Sequence, residues 1–202
     1  MMKSTLLIIA FFCSFTGYCQ EDYILTINDS LLNVSLDKQY KFVVNGQTVN
    51  FSISSKDTLL FTDPFFRFSY PKDFKISKSK IDESIEQITM LSAEGTGIII
   101  QKYGSLNPTS LNEMMLNELT KESVSYGFES KRSTSKKKLL SGQEVVVTKD
   151  VLRYKDEINI YEIVSYGKKD EGIIVVTLRM DDDKNTQGGK LIDLMWKTLR
   201  VN

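Results

Sequence analysis

A chain of 202 residues with 41% hydrophobic and 26% charged side chains has the composition of an ordinary globular protein, neither disordered nor fibrous. Its 26 basic and 26 acidic residues cancel, which excludes the positive footprint expected of a nucleic-acid binder. There is no histidine, and both cysteines, Cys13 and Cys19, lie within the first 19 residues. Ser-His-Asp and Cys-His catalysis are therefore excluded for residues 20–202, together with the commonest zinc and copper ligands.

Residues 1–19 read as a cleavable secretory signal peptide. Lys3 supplies the positive start, and Leu6 to Phe15 form an apolar run too short to serve as a stop-transfer helix. Gly17 and Cys19 place small side chains at the spacing signal peptidase needs, so cleavage is expected after Cys19, with cyclisation of Gln20. The competing form is a lipoprotein retained through Cys19, although Tyr18 stands where such signals carry a small residue. Without Lys3 the balance becomes 25 basic against 26 acidic residues. An exported chain with no cysteine beyond residue 19 is held together by packing and not by disulfides.

Residues 20–62 read as an N-terminal β segment. Asn45-Gly46 favours a two-residue hairpin turn, because both residues tolerate positive φ. That turn pairs Val44 with Gln47, Phe42 with Val49 and Tyr40 with Phe51, leaving Val43/Thr48, Lys41/Asn50 and Gln39/Ser52 on a mostly polar face. A second hairpin is expected between Ile24–Ile27 and Leu31–Leu36, through Asn28-Asp29-Ser30. Leu59–Phe61 is a short strand, and the break at Asp63-Pro64 marks the boundary of a second region, 63–202.

In that region Phe65 to Tyr70 is a strand stopped by Pro71, and 85–92 and 97–103 are strands joined through Ala93-Glu94-Gly95-Thr96. Asn107-Pro108 opens a helix whose apolar face is Leu111, Met114, Met115 and Leu119. The polar, basic stretch 130–138 reads as a loop. Strands near 143–151, 158–166 and 172–180 follow, joined by turns too short for parallel crossovers, so they are antiparallel neighbours. Ile173 to Leu178 is apolar on both faces and belongs at the centre of a sheet. A last helix near 188–200 buries Leu191, Leu194, Met195 and Leu199, with Ile192 and Trp196 at the edge and an Asp193/Lys197 pair on its wet side. No transmembrane span follows the signal segment.

Few residues invite chemistry. Asp181-Asp182-Asp183-Lys184-Asn185-Thr186-Gln187-Gly188 alternates oxygen donors as a calcium loop does, but Leu194 stands where an EF-hand has its bidentate Glu. The adopted reading is a strand-to-helix loop whose Asn185 or Thr186 caps the last helix. Ser133/Lys136 and Ser77/Lys80 fit Ser-x-x-Lys, yet both lie in polar stretches that would not desolvate the lysine. Lys131, Arg132, Lys136, Lys137 and Lys138 form a basic cluster suited to anionic lipid headgroups or an acidic partner. Asp156/Glu157 and Asp170/Glu171 fall in turns. Gly95-Thr96-Gly97 is not a nucleotide loop.

Phe68-Ser69-Tyr70-Pro71-Lys72-Asp73-Phe74, the strand–helix step over 97–122, and closing antiparallel strands before a helix ending Thr198-Leu199-Arg200-Val201 resemble the PsbP-like family. The resemblance implies an α/β/α sandwich around an antiparallel sheet over residues 63–202, and a non-catalytic, extrinsic role. It transfers no functional residue. The expected class is thus α+β, an antiparallel sheet with helices packed on it, preceded by a β-hairpin segment. The expected function is an exported, non-enzymatic accessory module docking on a cell-envelope protein or complex. The alternative is a small-molecule or lipid binder with a pocket between the sheet and the 108–122 helix, ahead of a carboxylate or Ser-Lys enzyme. No catalytic, cofactor-binding or metal-ligating residue is assigned, and no cofactor is expected.

Overall fold

The computed structural model describes residues 22–27, 30–44 and 46–202; residues 1–21, with the expected signal peptide, and Asn28, Asp29 and Asn45 lie outside them. The chain divides into two compact units, one ending at Ser55 and one running from Lys56 to Asn202.

The first unit is two hairpins. Strands β1 (Asp22–Ile27) and β2 (Ser30–Ser35) pair from Ile27↔Ser30, so Ser30, expected in the turn, belongs to the strand, and the strand ends at Ser35, not Leu36. Strand β3 (Gln39–Val44) pairs with β4 (Gln47–Ser52) in the register the Asn-Gly turn requires. Gly46 takes φ +78°, and the cross-strand rings of Tyr40 and Phe51 stack at 5.6 Å. The hairpins are tied together, since the Ser35 amide donates to the Tyr40 hydroxyl at 2.6 Å and the Asp37 amide to the Ile53 carbonyl at 2.8 Å.

The second unit opens earlier than residue 63. Strand β5 (Thr58–Thr62) pairs antiparallel with β6 (Phe66–Pro71), placing Phe61 opposite Phe68. Phe61, Phe66 and Phe68 stack on one another at 5.3–6.2 Å, all buried. Aromatic burial therefore draws 58–62 into this unit, and Asp63-Pro64 is the turn of a hairpin, with the Asp63 carboxylate accepting from the Phe65 amide.

Seven strands form the main sheet, in the order β10-β11-β12-β13-β9-β8-β7. They are β7 (Ser77–Lys80), β8 (Ile85–Leu91), β9 (Gly97–Tyr103), β10 (Glu129–Lys138), β11 (Glu144–Tyr154), β12 (Glu157–Lys168) and β13 (Glu171–Arg179). All neighbouring pairs are antiparallel. The apolar run in β13 occupies the middle position and is buried along 172–179. Helix α1 (Asn112–Tyr126) and the short 3-10 turn Pro108–Ser110 lie on one face; helix α2 (Gln187–Thr198) and a small sheet of β5, β6 and β14 (Arg200–Val201) lie on the other. The class is α+β, a mostly antiparallel architecture with a helix on each face.

Two helix expectations change. Met114 is 57% exposed, and α1 instead buries Leu116 and Thr120, flanked by Leu111, Met115 and Leu119. In α2 the buried stripe is Leu191, Ile192 and Met195, with Leu199 just beyond the helix; Leu194 is half-buried. Ile192 shares one buried cluster with Phe66, Phe68 and Val201 of the small sheet, and the Ser69 amide donates to Thr198 Oγ1 at 2.9 Å. Glycines allow close approach at two places. A Cβ on Gly188 would stand 2.5 Å from the Thr96 carbonyl, and one on Gly172 would stand 2.5 Å from the ring of Pro108, which sits on the β12–β13 end.

Candidate functional site

The stretch read from sequence as the basic loop 130–138 is strand β10, ten residues paired with β11 from Glu129↔Arg153 to Lys138↔Glu144. Nothing in Glu-Ser-Lys-Arg-Ser-Thr-Ser-Lys-Lys-Lys alternates apolar with polar, so periodicity gives no strand signal; the ladder with β11 supplies the order. Among the described residues β10 pairs with β11 alone, as the terminal strand of the sheet. Its outer edge presents backbone N–H and C=O groups, and nine of its ten residues are exposed.

Side chains alternate between the two faces. Toward α1 point Ser130, Arg132, Thr134, Lys136 and Lys138; toward α2 point Lys131, Ser133, Ser135 and Lys137. Ser130 Oγ and Arg132 Nε donate to Asp150 at 2.7 and 2.9 Å, and this carboxylate is 0% exposed. Lys136 meets Glu144 at 2.8 Å. Lys137 Nζ lies 3.9 Å from the Trp196 ring centre. Burial depresses the pKa of Lys137; Glu162 and Asp193 oppose that shift and Arg179 adds to it. Lys131 and Lys138 meet no carboxylate among the described residues.

Both ends of this strand are held. At its start, the rings of Tyr126, Phe128 and Tyr154 contact one another at 5.4–6.4 Å, and Lys155 Nζ lies 4.9 Å from the centre of the Tyr154 ring. Phe128 is buried, whereas Tyr126 is 70% exposed and edges a hollow of about 720 Å³ on the outer side of α1, beside Leu119 and Glu122. At its far end, the Leu140 amide donates to the Leu199 carbonyl at 3.2 Å and the Val201 amide to Ser141 Oγ at 3.1 Å, pinning the β10–β11 turn to the C-terminus.

The other candidates resolve into structural roles. Ser77/Lys80 lies in β7 and Ser133/Lys136 in β10, at opposite edges of the sheet and both in strands, not loops. Residues three apart on a strand point to opposite faces, so neither pair forms a dyad. In the 181–188 loop, Asp183 Oδ1 accepts from the Asn185 amide at 2.8 Å, Thr186 Oγ1 caps Gly189 at 3.1 Å, and Gly188 is helical. Among the described residues no three acidic side chains gather as metal ligands. Asp193 bonds Arg179 at 2.7 Å, in place of the expected Lys197. The space between α1 and the sheet is filled by Leu116, Leu152, Tyr161, Ile163 and Ile174. Two clefts on the α2 side, beside Tyr166 and Ile173, hold about 10 Å³ each, room for one water.

Asp150, Glu162 and Arg179 were not singled out by sequence reasoning. Their signal was available: each is a charge inside a strand otherwise rich in Val and Ile, where an unpaired charge is expensive. The partner on the next strand or helix becomes visible only once the register is known.

No family model matches the chain, and no curated protein matches it. Among solved structures, a crystal structure from Bacteroides thetaiotaomicron VPI-5482 is similar at 13% identity and a TM-score of 0.39, over 73% of this chain and 49% of that one. The chain thus spans about half the length of that protein, and at that score the likeness bears on neither fold nor function.

Proposed function

We propose that this protein is an exported, non-enzymatic interaction module that docks on a protein or complex of the cell envelope. The observation carrying the reading is strand β10, a ten-residue basic edge held at both ends and bordered by the exposed Tyr126. Such a surface recognises through backbone and charge and needs no nucleophile. The signal segment 1–19 supports export, as a soluble chain starting at Gln20 or as a lipoprotein anchored through Cys19. A sheet with a helix on each face supports the PsbP-like sandwich that the motif at 68–74 resembles, a family that includes extrinsic, non-catalytic subunits.

Affinity purification from crosslinked cells of the native host is expected to recover one stoichiometric envelope partner. Intact mass of the captured protein is expected to correspond to residues 20–202, or to a diacylated or triacylated Cys19. Recovery of the bare chain without a partner overturns the docking role. A reproducible co-purifying small molecule in native mass spectrometry instead supports the ligand-binding alternative.

A further inference from the structure

We infer that the partner supplies an extended acidic segment, which adds to the main sheet as an eighth strand along β10. The inference rests on the docking role above and names the chemistry of its partner. Long exposed edges invite unwanted pairing, and proteins ordinarily shorten or cover them. The other edge follows that rule: β7 has four residues, and Lys78 Nζ lies 5.0 Å from the centre of the Phe61 ring. Strand β10 is neither short nor covered by another strand among the described residues, and only its charges guard it against pairing with strands that do not complement them. It has ten residues, contains no proline, and carries Ser130, Ser133, Thr134 and Ser135 along its middle, small side chains that leave the backbone approachable.

Five cations line this edge: Arg132, Lys136 and Lys138 on one face, Lys131 and Lys137 on the other. A second copy of β10 laid against the first would set like charges opposite each other, which disfavours self-pairing. A strand with paired acidic residues, two in every four, places carboxylates opposite the cations on both faces, whereas strict alternation would reach one face alone. Lys131 and Lys138, on opposite faces, have no competing carboxylate among the described residues. At the Glu129 end, Tyr126 and Tyr154 offer an aromatic seat for an apolar side chain, the kind of anchor that dominates peptide recognition.

The test uses residues 20–202 and a twelve-residue peptide of Glu-Glu-Thr-Thr repeats ending in Phe, which carries carboxylates on both of its faces. Its controls are a peptide of the same charge with prolines at the Thr positions, and vesicles containing phosphatidylglycerol. Expected results are binding of the first peptide, slowed hydrogen exchange at alternate β10 amides, no such protection from the proline peptide, and at least tenfold weaker binding to Lys131→Glu/Lys138→Glu with unchanged circular dichroism. Equal binding of the proline peptide, binding to vesicles without the peptide, or no binding at all overturns the added strand. Partner capture that the double variant leaves intact also overturns it while the docking role stands; loss of all capture by the unmodified chain defeats the docking role itself.

Discussion

Asp150 and Arg132 are paired across β10 and β11, but they are not equivalent. The carboxylate is wholly buried, while the Arg132 side chain is 34% exposed. Removing Asp150 leaves a guanidinium that can turn toward water; removing Arg132 leaves a buried anion held by Ser130 alone. Arg132→Ala is therefore expected to cost about 2–3 kcal/mol and Asp150→Asn about 1 kcal/mol in urea unfolding. The reverse order would contradict the assignment. Burial also sets an alkaline limit. Desolvation raises the phenol pKa of Tyr161 above 10.0, against a weaker opposing bond from Ser123, and desolvation and then Asp82 raise that of Tyr103. Above the ordinary phenol value the folded form keeps protons that the unfolded chain has lost, so this contribution is complete below pH 10 and fades as pH rises through the elevated values. Lys137 acts oppositely: its lowered pKa makes stability rise with pH up to about 10.5. Urea midpoints of Tyr161→Phe are expected to fall less steeply above pH 10 than those of the parent; parallel curves would exclude the phenol as a cause.

Helix α2 shows how an element is placed by both its local and its distant neighbours. Thr186 caps it locally. Gly188 lets its first turn rest against Thr96, Arg179 ties its middle to β13 through Asp193, and Leu191, Ile192 and Met195 fill the core. Gly188→Ala raises helix propensity by about 1 kcal/mol, yet its Cβ would stand 2.5 Å from the Thr96 carbonyl and side chain. The expected outcome is a net loss of about 2 kcal/mol in thermal or urea unfolding, since overpacking against backbone is not relieved by a rotamer change. A neutral or stabilising effect would mean that the turn at 93–96 yields. The rotation of the buried stripe away from Leu194 was not legible in the sequence, because a one-helix pattern cannot say that a small sheet lies on one flank. The Asn-Gly hairpin was legible for the opposite reason: turn chemistry and cross-strand pairing are set within a few residues.

At the scale of the molecule, the unit 56–202 contains both clusters of buried side chains on either side of the main sheet. Residues 56–202 produced alone are expected to unfold cooperatively and to keep the emission of Trp196, the chain's sole tryptophan. Loss of near-ultraviolet dichroism in that fragment would show that residues 22–55 are needed for its packing. The boundary itself was misplaced by a local cue. Asp63-Pro64 resembles a linker, and only the Phe61–Phe66–Phe68 stack shows that the chain turns there and stays within one unit.

Sequence alone determined the features that arise between near neighbours. These are the register of the Asn-Gly hairpin, the antiparallel order of β11 to β13, the central place of the apolar strand, and the position of the loop that caps α2. Tertiary structure decided whatever depends on a partner far along the chain. It made a strand of the Ser/Lys stretch by laying it on β11, sent Asp193 to Arg179, and set Ser133 and Lys136 on opposite faces. The physical reason is that a side chain's burial and a strand's ladder are properties of two segments at once, and one segment's composition records only its own half.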